Sequence, residues 1–183
     1  MKQRKFIAIA LVGAAFVLTG CGMTKKVTSP ANGEPAIQQP TVEQVAPEPE
    51  VISIAEAVDV FEHPERMADA AKKYGYKLKK DYEIYRLDKF SKLFYKNCRL
   101  AKILTANQYE DYPKPLRKGV SSYVAFKEGA IIIGVFNQKA YKNLVDQVKA
   151  AGYTLDMPGN EDIYVKGSRR IACYAGAKTV RVQ

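Results

Sequence analysis

A chain of 183 residues has room for one ordinary domain or two small ones, which excludes a large multidomain enzyme. Its composition, 47% hydrophobic and 26% charged, matches a folded globular protein and excludes wholesale disorder. With 29 Lys and Arg against 19 Asp and Glu, the formal charge of +10 invites a nucleic-acid reading that the N-terminus then redirects.

Lys2, Arg4 and Lys5 precede an apolar or small run from Phe6 to Leu18, and Thr19-Gly20-Cys21 follows. A basic start, a short apolar core and small residues before a cleavage point predict a secretory signal peptide over residues 1–20. The run falls short of the roughly 20 apolar residues that a membrane span needs. Leu18-Thr19-Gly20-Cys21 resembles the lipobox of bacterial lipoproteins. The resemblance implies cleavage before Cys21, diacylation of its thiol and acylation, with palmitate among the chains, of the new amino terminus. It covers only this N-terminal segment and carries over Cys21 alone, as the lipidation site. Acyl chains contribute about 0.8 kcal/mol per buried methylene, so several of them form a stable anchor without a transmembrane helix. Gly22, standing where Asp would retain a lipoprotein at the inner membrane, implies the outer membrane of a Gram-negative cell, on its periplasmic or its surface face.

Residues 21–50 read as a tether. Five of the nine prolines fall here (Pro30, Pro35, Pro40, Pro47 and Pro49), and apolar residues recur at neither a helical nor a strand period. Such a segment cannot bury enough surface to offset its ordering entropy. As a coil it reaches on the order of 30 Å.

The folded domain is expected over residues 51–183. Pro64 to Tyr74 reads as a helix, with Glu62 and Glu65 near its start, Lys72 and Lys73 near its end and Gly75 beyond it. Asp88 to Thr105 is ambiguous. Phe90, Leu93, Phe94, Cys98, Ala101 and Leu104 fall on a helical stripe, whereas comparison with the strand-rich tail favours strands. Ser122–Phe126 and Ala130–Phe136 flank Lys127-Glu128-Gly129, the pattern of a β-hairpin with a three-residue turn. Ala140 to Ala151 reads as a second helix, capped by Asn137 and ended by Gly152, with Lys142 and Asp146 paired one turn apart. Three short strands follow: Ile163–Lys166, Arg169–Tyr174 and Thr179–Val182.

The two halves also align. Val60-Phe61 matches Val135-Phe136, Gly75-Tyr76-Lys77-Leu78 matches Gly152-Tyr153-Thr154-Leu155, and Glu83-Ile84-Tyr85 matches Asp162-Ile163-Tyr164. Cys98 then matches Cys173, and Ala101-Lys102 matches Ala177-Lys178. The expected fold is α+β, a tandem duplication of a helix followed by antiparallel strands, with repeats at about 57–106 and 130–183.

No catalytic constellation accompanies this fold. His63 is the sole histidine and stands before the proline of a helix start, so it reads as a solvated terminal residue. No nucleophile elbow, P-loop or dinucleotide fingerprint occurs, and no enzyme activity, metal or cofactor is expected. The stretch from Asp156 to Asp162 lacks the spacing of an EF-hand loop and reads as a solvated turn. Once Cys21 is acylated, Cys98 and Cys173 remain. An even pair in an exported domain predicts a disulfide between them, and two separate buried thiols are the alternative.

All twelve tyrosines lie between Tyr74 and Tyr174, and from Ile52 onward 24 basic residues face 15 acidic ones. Tyr76, Tyr153, Tyr85 and Tyr164, with Arg99, Arg169 and Arg170, are the candidate binding residues. Export argues against nucleic acid as partner. Two functions are expected: a lipid-anchored, non-catalytic module that binds, assembles or inhibits an envelope protein, and a module that binds anionic glycan or lipid at the cell envelope.

Overall fold

The computed structural model describes residues 45–84, 88–100, 103–105, 108–109, 112–117 and 119–183. Three helices lie against an antiparallel sheet of eight strands, so the fold is mixed α+β and dominated by its sheet. In chain order the strands are β1 (Lys77–Ile84), β2 (Asp88–Lys96), β3 (Cys98–Arg99), β4 (Ile103–Thr105), β5 (Gln108–Tyr109), β6 (Lys114–Pro115), β7 (Ser122–Lys127) and β8 (Ala130–Val135), then β9 (Thr154–Met157), β10 (Glu161–Lys166), β11 (Arg169–Tyr174) and β12 (Thr179–Val182). The large sheet runs β1-β2-β7-β8-β12-β11-β10-β9, while β3 pairs with β6 and β4 with β5 in separate two-stranded ribbons.

Side-chain alternation decides which face of the sheet is covered. Val124 and Phe126 on β7, Ile131, Ile133 and Val135 on β8, and Val180 and Val182 on β12 turn to one side and are buried. The helices α1 (Ile54–Glu62), α2 (Met67–Tyr74) and α3 (Gln138–Ala150) pack there. Ile54, Ala57 and Val60 present one stripe of α1, and Leu144 and Val148 one stripe of α3, to the same core. Burying each large aliphatic side chain contributes roughly 1.5–3 kcal/mol. On the opposite side a smaller cluster gathers Tyr82, Ile84, Phe90, Leu93, Tyr123 and Ala125. One face of the sheet is therefore roofed by helices, and the other carries only a partial apolar patch.

Residues 45–50, assigned above to the tether, pack on α3. The backbone N–H of Glu48 donates to Asn143 Oδ1 at 3.2 Å, Asn143 Nδ2 donates to the Ala46 carbonyl at 2.9 Å, and Lys139 pairs with Glu48 at 2.9 Å. Val51 and Ile52 then enter the core. Among the described residues the domain thus includes the segment from Val45, because the polar face of α3 supplies partners to backbone that its prolines leave without ladder bonds.

Helix α1 was not expected, although Ser53-x-x-Glu56 announces it. Ser53 Oγ accepts from the Glu56 N–H at 3.2 Å, and the Glu56 carboxylate accepts from the Ser53 N–H at 3.1 Å, closing a capping box. That carboxylate also accepts from Tyr74 Oη at 2.5 Å and from Lys73 Nζ at 2.6 Å. Burial alone would raise its pKa, but the donors Lys73, Tyr74 and Ser53 outweigh burial and lower it to about 2. A depressed carboxylate contributes stability that is present above its unfolded value of 4.5 and is lost as pH falls towards about 2. Glu56→Gln should therefore cost about 1–2 kcal/mol at neutral pH, allowing for its partial exposure, and flatten the acid limb of the stability curve. Urea denaturation between neutrality and pH 2 checks both effects.

Other elements fall near their expected places, with local corrections. The segment from Pro64 opens as a 3₁₀ turn, Pro64–Arg66, before α2 begins. Asp88–Lys96 is a strand, the reading that comparison with the tail favours over the helical stripe, since its backbone is taken up between β1 and β7. The hairpin turn is two residues long, Glu128-Gly129, with Gly129 at φ 65° and Lys127 paired to Ala130. The alignment of halves holds at one place: α2 and α3 are each followed by a glycine with positive φ (Gly75 at 74°, Gly152 at 83°) and then a buried tyrosine. These turns launch β1 and β9, the two edges of the large sheet. Beyond them the alignment parts. Ile84 lies on the first strand after its helix and Ile163 on the second, while Cys98 lies in the β3–β6 ribbon and Cys173 inside the large sheet.

Candidate functional site

A cleft of about 550 Å³ opens on the face of the sheet that the helices leave uncovered. Its floor is built by β7, β8 and β12, whose outward positions carry Tyr123, Ile132, Thr179 and Arg181. Tyr123 stands directly across from Gly134 in the β7–β8 ladder. A Cβ at Gly134 would lie 2.1 Å from Cε1 and Cζ of that ring, so the missing side chain is what lets the tyrosine lie flat across the sheet. Phe136 tilts against it with ring centroids 6.0 Å apart.

Two polar clusters stand at the margins. On one side Tyr112 Oη donates to Asp88 Oδ2 at 2.5 Å, and Lys127 pairs with the other oxygen of the same carboxylate. Burial would raise the Asp88 pKa, but Lys127 and Tyr112 outweigh it and hold it below the ordinary value. On the other side Arg181 Nη2 pairs with Glu161 at 2.7 Å, while its Nε is buried with no partner among the described residues. Burial pushes the Tyr112 and Tyr123 hydroxyls up, so both stay protonated at neutral pH. The lining includes three carboxylates (Asp88, Glu128, Glu161) and two cations (Lys127, Arg181), and both cations are already matched by carboxylates. Such a surface can stack against flat or apolar groups and offer hydrogen bonds at its margins.

Among the described residues, nothing in the cleft couples a nucleophile to a base, and no cluster of three metal-ligating side chains occurs. His63 caps the C-terminal end of α1, exposed, with Nδ1 3.8 Å from Glu65. Cys98 and Cys173 are buried, free thiols, and the expected disulfide is absent from the fold. Cys98 Sγ donates to the Lys96 carbonyl at 3.1 Å and faces Ser122 O on β7 at 3.5 Å. Cys173 lies on β11, three strand steps from β7 through β8 and β12. At roughly 4.8 Å per step that is about 14 Å, twice the Cα separation a disulfide tolerates. Burial pushes the thiols up to about 11 for Cys98 and about 12 for Cys173, so both are poor nucleophiles at neutral pH. Iodoacetamide should label neither thiol in the folded domain and both after unfolding without reductant, as read by intact mass.

The residues singled out from the sequence do not converge. Tyr76 is a core residue, its hydroxyl 2.9 Å from Ser122 Oγ and pushed up to about 12 by burial. Tyr153 is buried below the Lys166 ammonium, 5.8 Å from its ring centre, and Tyr164 lies in the helix-side core. Arg169 pairs with Glu62 and lies over Phe61, Arg170 is exposed on β11, and Arg99 is exposed on β3. Tyr85 falls outside the described residues. The cleft residues Tyr112, Tyr123, Ile132, Phe136 and Arg181 were missed. One signal for them was legible: Gly134 inside the apolar run Ala130–Val135 marks a place where another group lies close to the backbone. Compared with protein-family models, curated proteins and solved structures, the chain matches none.

Proposed function

We propose that the protein is a lipid-anchored envelope lipoprotein, held through Cys21 at the outer membrane, whose domain docks a protein partner without catalysing a reaction. The observation that carries this reading is the cleft on the uncovered sheet face. Its aromatic floor suits an apolar or aromatic side chain of a partner, and its polar margins suit backbone amides. Its cations are matched internally, which disfavours an anionic ligand at this place. The paired Gly-Tyr turns that launch both sheet edges support an origin by duplication, with the two halves diverging after those turns.

A second reading rests on a different surface. Lys77, Lys79 and Lys80 on β1 and Lys92, directly across from Lys80 on β2, are exposed and have no ion pair among the described residues. Alternation sends Lys80 and Lys92 to the helix face and Lys77 and Lys79 to the opposite face, so it is the edge as a whole that suits an anionic glycan or a lipid headgroup. The two readings part on salt and on position. Ile132→Arg in the cleft should cut partner capture at least about tenfold, and capture by the unmodified protein should survive high salt. Loss of binding with rising salt, together with loss in Lys79→Glu but not in Ile132→Arg, would favour the polyanion. Cys21→Ser should release the protein from the membrane fraction altogether, and continued sedimentation with membranes would remove the lipid anchor from the account.

A further inference from the structure

The two edges of the large sheet are complementary to each other, and this observation is independent of the cleft. Among the described residues nothing pairs with the outer side of β1 or of β9. The first half of β1 carries Lys77, Lys79 and Lys80, with Asp81 and Glu83 confined to its second half, whereas β9 has no cation and carries Asp156. Each edge also exposes an apolar side chain: Leu78 is 47% exposed, Leu155 49% and Met157 62%. Leu78 lies across from Phe94 and Leu155 across from Tyr164, and both partners belong to the helix-side core, so the two leucines project from the same face of the sheet.

We infer that β9 of one copy accepts β1 of the next, extending the sheet head to tail. Every neighbouring pair in the eight-stranded sheet is antiparallel, so β1 and β9 run in opposite directions. A second copy added beside β9 in the same orientation therefore continues the antiparallel alternation and keeps all helices on one side. The register that sets Leu78 against Leu155 also sets Lys77 against Asp156, the residue where β9 shifts register against β10, and Lys79 against Thr154. It joins the two exposed leucines on the helix face and supplies an opposite-charge pair beside them. Self-pairing of like edges leaves the exposed leucines unmatched: β1 against β1 in full register sets Leu78 across from Glu83, and β9 against β9 places Asp156 across from Leu155. The contact is heterologous and leaves a free edge at each end, so the product is an open chain of subunits, not a closed dimer.

The full-length anchored protein carrying both Leu78→Cys and Leu155→Cys, treated in cells with a mild oxidant, tests this. Cys98 and Cys173 are buried and do not compete. The double variant should give a ladder of dimers, trimers and larger species on a non-reducing gel, while each single variant stays monomeric. Adding Asp156→Lys should weaken the ladder about fivefold, and Lys77→Glu beside it should restore it. Absence of any ladder overturns the inference, and so does dimer formation by either single variant, which reports pairing of like edges.

Discussion

Gly134→Val should destabilise the domain by about 3 kcal/mol and lower its melting temperature by roughly 6–12 °C, as read by calorimetry or circular dichroism. The position is inside the ladder, between Tyr123 on β7 and Thr179 on β12, so the backbone cannot retreat from an added side chain. Since even a Cβ would lie 2.1 Å from the Tyr123 ring, the ring must leave the floor of the cleft. It then loses its contact with Phe136 and exposes the apolar patch around Ala125 and Leu93. Tyr123→Ala in the same chain should recover part of the loss, because it removes the group that the valine strikes. A neutral Gly134→Val would mean that the tyrosine does not lie across this glycine.

Gln147→Leu should cost about 2–3 kcal/mol although it keeps the volume and adds apolar surface. Gln147 is buried on α3, where its Oε1 accepts from the Ile54 N–H at 2.9 Å and its Nε2 donates to Asn143 Oδ1 at 2.7 Å. The Ile54 N–H is one of the donors that a helix start leaves without an internal partner. Leucine would bury that donor unmatched and release Asn143 from the geometry that holds Ala46 and Glu48. The loss should be local before it is global: amide hydrogen exchange should accelerate over residues 46–54 more than in β8. Equal acceleration in both would indicate that Gln147 supports the whole core and not the N-terminal strap.

What the sequence revealed of this fold follows the range of the interactions. The tail strands β10, β11 and β12, the β7–β8 hairpin and α3 are each written in local alternation, a glycine turn or a cap, and each is where reading predicts it. Asp88–Lys96 is harder, since its stripe of apolar residues suits a helix and only its neighbours β1 and β7 make it a strand. Strand pairing is long-range information that periodicity does not carry. The strap at residues 45–50 was hidden for the same reason, because its partners lie almost a hundred residues away on α3. The tyrosines illustrate the limit for the site. Tyr76, Tyr153 and Tyr164 look like a binding set when counted with nearby arginines, yet the helix layer buries all three. Tyr112 and Tyr123 instead reach the open face, which depends on the side of the sheet the helices choose.

The central claim, that the uncovered sheet face is the docking surface for a protein partner, is tested most directly by photo-crosslinking in intact cells. A photoreactive residue is placed at position 132 in the cleft, at 79 on the lysine edge or at 142 on the solvent side of α3, each in the full-length chain. A discrete protein adduct is expected from position 132 and none from position 142. Equal labelling at 132 and 142, or capture of glycan or lipid at 79 with no protein at 132, would contradict the claim.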